Sequence, residues 1–275
     1  MKTTKKQPII LHRSLGSPYA RKIQTMLAHT GQEYLSVIAS KGVPRPIQEK
    51  LVGGYSRRIP ILQIGSDIYC DTKLISSEIA KQTNRPELDP LQQSVDDKML
   101  MEKIDTQHFV EMVMTMSAWE FIRCSFSLMP PQHACKLITD RAKLAKKIKD
   151  KKPDVATKIK YNHSLKSFFS EIENQLGKRP FLGKNESPTA LDFTAYTTLW
   201  YGHKLNGLKQ ASKTKNITDW LYRMDAYGTG KTTEIGGNTA LDIAKNTKPR
   251  PIPENMKSSP KVGKPFSFKP TDGLS

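Results

Sequence analysis

Three short stretches set oxygen- or nitrogen-bearing side chains where they can act on an anion. Ser17 stands directly before Pro18 at the start of a helical pattern, so its hydroxyl falls at the N-cap, beside the positive end of the helix. Asp71 and Thr72 stand in the same relation to another helix, whose free N–H groups form a seat for a carboxylate. Arg58, with Arg57 before it, carries the planar fork that suits carboxylates. Ser14 shares the turn with Ser17, and Tyr19 follows two residues later, so rival hydroxyls flank the first of these stretches.

Other chemistries are disfavoured by spacing. The six histidines show neither H-x-x-x-H nor H-E-x-x-H, and no metal is expected. Cys70, Cys124 and Cys135 form no C-x-x-C pair, which argues against a disulfide scaffold, a zinc ribbon and a dithiol redox centre, and fits a reducing compartment. His108, Met112, Met116 and Trp119 recur at i, i+4, i+8 and i+11. One helix face of that kind lines an apolar pocket or, more often, belongs to the core. Thr189 and Asp192 read as a capping box in which the Thr hydroxyl accepts from the Asp192 N–H and Asp192 accepts from the Thr189 N–H, with Pro188 and Phe193 at the staple positions.

These residues need elements to hold them. Residues 8–12 read as a buried strand, 13–17 as a turn containing Gly16, and 18–30 as a helix stopped by Gly31. Residues 33–39 read as a second strand and 41–55 as an irregular loop with one helical turn. Residues 59–64 and 68–70 form a hairpin about Gly65, and a helix runs from 72 to about 81. After a linker at 84–90 everything reads helical: 91–126, 133–152, 156–176, 189–201, 218–227 and a short piece at 239–245. The expected domains are therefore 1–83, then 91–247, then a Pro- and Lys-rich tail at 248–275 without a core of its own.

The net charge is +18. Residues 141–160 hold nine basic and two acidic side chains and 245–275 hold seven and two, so two thirds of the excess lies in two segments. A solvated helix face and a soluble tail account for this better than nucleic acid, because no aromatic residues interleave the lysines of 141–160 and no nucleic-acid motif appears. The apolar run after the basic N-terminus is only three residues, and no stretch approaches the length of a membrane span, so the protein is read as cytoplasmic.

Five motifs in order resemble the glutathione S-transferase superfamily: Ser17-Pro18-Tyr19-Ala20-Arg21-Lys22, Arg58-Ile59-Pro60-Ile61-Leu62, Asp71-Thr72 with Leu74-Ile75, Pro180-Phe181-Leu182-Gly183, and Thr189-Ala190-Leu191-Asp192. The likeness spans residues 9–245 and points to a less characterised branch. It implies an α/β thioredoxin-like N-terminal domain followed by an all-α C-terminal helical bundle. It also implies glutathione as co-substrate, a small electrophile as second substrate, and a homodimer.

On that resemblance Ser17 stabilises the glutathione thiolate, with Ser14 and Tyr19 as rivals. Pro60 is cis and lets Ile59 meet the cysteinyl backbone. Thr72 holds the γ-glutamyl carboxylate, and Asp71 caps its helix or, across a dimer, meets the γ-glutamyl ammonium. Arg58 pairs with the glycyl carboxylate, with Lys50 and Gln48 as competitors. The electrophile is expected between the domains, at Tyr19 and the stripe His108, Met112, Met116 and Trp119. The absence of cysteine from the turn favours conjugation over a mixed disulfide. The alternative reading is a non-catalytic binding or scaffolding protein of the same fold, its basic segments docking an acidic partner.

Overall fold

The computed structural model describes residues 7–42, 44–53, 58–147, 153–206, 214–252 and 254. Arg57 and most of the basic tail lie outside these residues, as does the 148–152 part of the basic segment.

The first unit follows the expected order. Strand β1 (Ile9–Arg13) leads to helix α1 (Pro18–His29), β2 (Tyr34–Ile38), α2 (Pro46–Val52), β3 (Ile61–Ile64), β4 (Asp67–Cys70) and α3 (Thr72–Thr83). β1 and β2 run parallel, with Ile10 opposite Leu35, while β3 is antiparallel to both β1 and β4. Pro18 opens α1, where its missing N–H costs nothing, and Thr30 closes it by donating N–H bonds to Ala28 and Met26. Residues 41–55, read as mostly irregular, contain the two turns of α2, started by Pro46 and stopped by left-handed Gly53.

The second unit departs from the expected long helix at 91–126. It is instead α4 (Val95–Lys103), a π-helical turn (Ile104–His108), α5 (Phe109–Thr115) and α6 (Ala118–Leu128). The chain breaks at Met116, whose backbone is extended, and restarts at a capping box formed by Ser117 and Glu120. Then come α7 (Pro131–Lys147), α8 (Val155–Leu176), α9 (Ala190–Asn206) and α10 (Lys215–Asp225). α9 is the central rod: Phe193, Ala195, Tyr196 and Leu199 have no exposed surface. The Glu173 carboxylate on α8 accepts the Asn216 and Ile217 N–H groups at 2.8 and 2.9 Å, satisfying the start of α10.

One apolar core joins the units, running from Ile9 and Leu62 through Ile75 and Ile104 to Phe193 and Trp220. Polar bonds cross the seam between α1 and α9. Lys22, fully buried, donates to Thr194 Oγ1 at 2.9 Å. Arg21 Nε donates to the Tyr196 hydroxyl at 3.1 Å, and both side chains bond the Asp225 carboxylate.

A further departure follows α10. Residues 232–234, expected within the helical part, are strand β5 (Thr232–Glu234), which pairs parallel to β2 and completes the sheet order β4-β3-β1-β2-β5. Helix α11 (Gly237–Lys245) then lies on the sheet face against α2, with Ala240 packed on Ile10 and Val37. Gln63 ties the layers together: its Nε2 donates to the Ala240 carbonyl at 2.9 Å, and its Oε1 meets His12 Nε2 at 2.9 Å. Among the described residues no helix is long and apolar enough to cross a membrane.

Candidate functional site

The turn between β1 and α1 is shaped for close approach. Gly16 has a φ of +65°, and a Cβ there would stand 2.6 Å from Met129 Cε, so glycine lets the helical unit close on the turn. Ser17 donates its N–H to the Ser14 carbonyl at 3.2 Å and caps α1, its Oγ accepting the Ala20 N–H at 3.3 Å. The Ser17 hydroxyl hydrogen is left to donate to a ligand, and the residue is half-buried. Ser14 is buried beneath the turn.

The start of α3 carries a second cap. Asp71 caps the helix by accepting the Lys73 N–H at 2.8 Å, and holds a φ of 77°, a conformation side-chain-bearing residues rarely adopt. Strain of that kind collects at functional sites. Thr72 follows at the first helical position, half-buried. The Ile59–Pro60 peptide bond is cis, and Ile59 lies just outside the strand ladder, which begins at Ile61.

Electrostatics ties these parts to the helical unit. Burial raises the Tyr19 phenol far above its ordinary value. Asp105 and Asp71 push it the same way, and Arg58 opposes them. Tyr19, Arg58, Asp71 and Asp105 therefore share one field. Asp105 lies on the π-helical turn; burial raises its carboxyl, while Lys22 and Lys73 hold it down. Its Oδ1 is buried without a hydrogen-bond partner among the described residues. Burial lowers Lys22, and Asp105 and Asp71 counter that effect. A π turn is a frequent device for re-aiming a side chain at a site.

The N-terminal sequence carries a family match. The family model described as glutathione S-transferase, N-terminal domain, matches residues 11–87. Residues 11–87 belong to the glutathione S-transferase N-terminal domain family, and the two-unit architecture is that of GST-like proteins. A solved GST-like protein from Pseudomonas syringae is 25% identical with a TM-score of 0.68, over 98% of this chain and 81% of that one. A glutathione S-transferase from Methylobacillus flagellatus, solved with GSH bound, is 18% identical at a TM-score of 0.54, over 80% of this chain and 96% of its own. A Tau class glutathione S-transferase from mango, Mangifera indica, is 17% identical at 0.54, over 88% and 99%. The last two show that the fold is shared. No curated protein matches the chain.

Within this glutathione S-transferase fold, the expected pocket stripe does not hold together. His108 and Met112 are buried; the His108 ring stacks on Phe168 with centroids 4.3 Å apart, and its Nδ1 meets Glu111 Oε2 at 3.0 Å. Ser164 and Gln107 also bond that carboxylate. Met116 sits at the helix break, and Trp119, beyond it on α6, is 71% exposed. The cause is the break itself, because a four-residue face requires an uninterrupted helix.

Two aromatic residues that the sequence reading passed over, Phe109 and Tyr201, join Tyr19 where the stripe was expected. Tyr19 meets Phe109 edge-on at 4.9 Å, and Phe109 stacks on Tyr201 at 5.9 Å, so rings from α1, α5 and α9 form a wall across the interdomain seam. A cationic cluster was also missed: Lys41 and Arg45, 4% and 6% exposed, lie near Arg13 and Arg141. Only the sign of charge in 141–160 hinted at the last of these.

Proposed function

We propose that the protein transfers the glutathione thiolate to a small electrophile, with the Ser17 hydroxyl donating to the sulfur. The observation that carries this reading is the Ser17 hydroxyl, capping α1 with its own hydrogen to give, in the turn between β1 and α1. A free thiol near pKa ~8.5 is only about 3% ionised at pH 7. Lowering the value by two units takes roughly 2.7 kcal/mol, which one hydrogen bond to the anion and a helix N-terminus together supply.

The remaining contacts follow from glutathione's own groups. The α3 N–H groups and the Thr72 hydroxyl take the γ-glutamyl carboxylate, and Asp71 takes the γ-glutamyl ammonium with help from the buried Asp105 oxygen. Ile59 offers its backbone to the cysteinyl residue, next to cis-Pro60, and Arg58 pairs with the glycyl carboxylate. The glutathione bound to the Methylobacillus relative supports extending this ligand to the present chain.

Titration calorimetry tests the site. Glutathione is expected to saturate the parent, and Thr72→Ala to weaken it by about tenfold, as loss of a hydrogen bond to a carboxylate does. No binding to the parent up to millimolar glutathione would defeat the transferase reading.

We also infer a homodimer. Leu91, Val95 and Met99 are exposed at i, i+4 and i+8, and Val110 and Leu74 add exposed apolar surface on α5 and α3. Apolar stripes of this regularity mark protein contacts. Light scattering of the eluting protein should give twice the chain mass, and Val95→Lys with Met99→Lys should give the single mass. A monomeric parent would contradict this.

A further inference from the structure

Past α11 the chain stays on the first unit. Thr247 sets its methyl against the β3–β4 turn, where a Cβ on Gly65 would stand 2.7 Å from Thr247 Cγ2. Arg250 then spans the corner between β4 and α3. Its backbone N–H donates to the Asp67 carboxylate at 3.1 Å, and its Nε lies 3.5 Å from the same group. Its terminal nitrogens fork onto Glu78 on α3, Nη1 lying 3.1 Å from Oε1 and Nη2 donating to Oε2 at 3.2 Å. The guanidinium also lies over the Tyr69 ring of β4, 5.4 Å from its centroid. Glu78 is buried, and Gln82 Nε2 donates to its Oε1 at 2.8 Å. A two-pronged contact of this kind fixes direction as well as distance.

The two arms that Arg250 joins meet at Asp71 and Thr72. Asp71 holds its φ of 77° at this junction, and a backbone of that kind persists only where its surroundings hold it. The Asp71 cap on the Lys73 N–H acts inside the corner. Arg250 braces the corner from outside, through one carboxylate on each arm. In the transferase reading this corner is the seat of the γ-glutamyl carboxylate.

We propose that Arg250 is a positioning residue for glutathione. By clamping β4 to α3 it holds the α3 N–H groups and the Thr72 hydroxyl in the arrangement that accepts the γ-glutamyl carboxylate. This rests on the transferase reading and adds a residue that acts on the ligand's seat without touching the ligand.

Titration calorimetry of the full chain with glutathione tests this. Arg250→Met keeps an apolar stem to pack on Tyr69 and loses the fork. It should raise the Kd for glutathione about tenfold, the scale on which a small misplacement of binding groups is felt. Arg250→Lys should recover part of the affinity, because its ammonium can still pair with Glu78. Glu78→Gln should weaken binding as Arg250→Met does, and the two together should cost no more than one alone. Melting separates positioning from general damage. The Arg250 side chain is 43% exposed, so Arg250→Met should melt within a few degrees of the parent. Asp192→Ala, which strips a buried carboxylate from the helical unit, should show the reverse pattern. Hydrogen exchange reads the corner without ligand: the 71–76 amides of Arg250→Met should exchange on the order of tenfold faster than the parent's, while those of β1 keep their rate. An unchanged Kd, additive losses in the double variant, no recovery with lysine, or an affinity loss that only follows melting overturns the proposal. If the parent binds no glutathione, the transferase reading fails separately, and exchange alone decides. Faster exchange at 71–76 then keeps Arg250 as the clamp on the corner, and unchanged exchange removes it.

Discussion

Asp192→Ala will lower the melting temperature by roughly 10 °C. The carboxylate is fully buried and accepts from the Leu182 N–H at 2.7 Å, the Gly183 N–H at 3.1 Å, the Thr189 N–H at 3.0 Å and the Trp220 ring N–H at 3.0 Å. The Thr189 hydroxyl adds a fifth bond at 3.3 Å. Burial raises the carboxyl, and these donors oppose the rise. Alanine would strand these buried donors without their acceptor, at a cost of about 3–5 kcal/mol. For a chain of this size each kcal/mol is worth about 2–4 °C. Scanning calorimetry checks the value, and parent and variant melting together would refute it. Glutathione affinity measured well below the transition should stay within about twofold, because Asp192 acts on the helical unit and not on the ligand.

Ser17→Ala should cut kcat/KM on the order of a hundredfold, the usual effect of removing one donor from a developing or resident anion. The affinity for glutathione should change little, since the peptide's ends are held elsewhere. The pH profile distinguishes this from general damage. Without the donor, the bound thiol ionises at higher pH, so the deficit is largest near neutrality and shrinks as the pH rises through the thiol range. A pH-independent loss would instead indicate that the cap on α1 matters and the sulfur contact does not. Retained activity in Ser17→Ala, with loss in Tyr19→Phe, would transfer the role to the phenol, which burial keeps protonated and able to donate.

Much of the first unit was legible because its signals are local. Pro18, Gly31 and the Asp71-Thr72 cap mark helix ends by backbone chemistry that acts within a turn, and the structure has helices there. The Thr189–Asp192 pair was visible for the same reason, although only the tertiary fold shows that its carboxylate also gathers the 182–183 backbone and Trp220. The Thr189 hydroxyl, expected to accept from the Asp192 N–H, instead donates to the carboxylate. The break at Met116 was hidden because an apolar period ran across it, although Ser117 and Glu120 carried the spacing of a helix start. β5 is three exposed residues, Thr232 to Glu234, with no alternation to detect; it is a strand only because β2 offers it an edge. The Lys41 cluster draws on β1, the β2–α2 connection and α7, and nothing short of the packed molecule brings those segments together.

The return of β5 and α11 to the sheet closes a clasp. The chain leaves the first unit through 84–90 and comes back through 226–231, so the helical unit is tethered at both ends like an insertion into a loop. Interdomain rocking must then preserve the β2–β5 ladder and the Gln63 bond to α11, which confines motion at the seam to a shear instead of an open hinge. The edge of β2 that a free-standing first unit would leave bare for pairing with other chains is occupied by the molecule's own backbone.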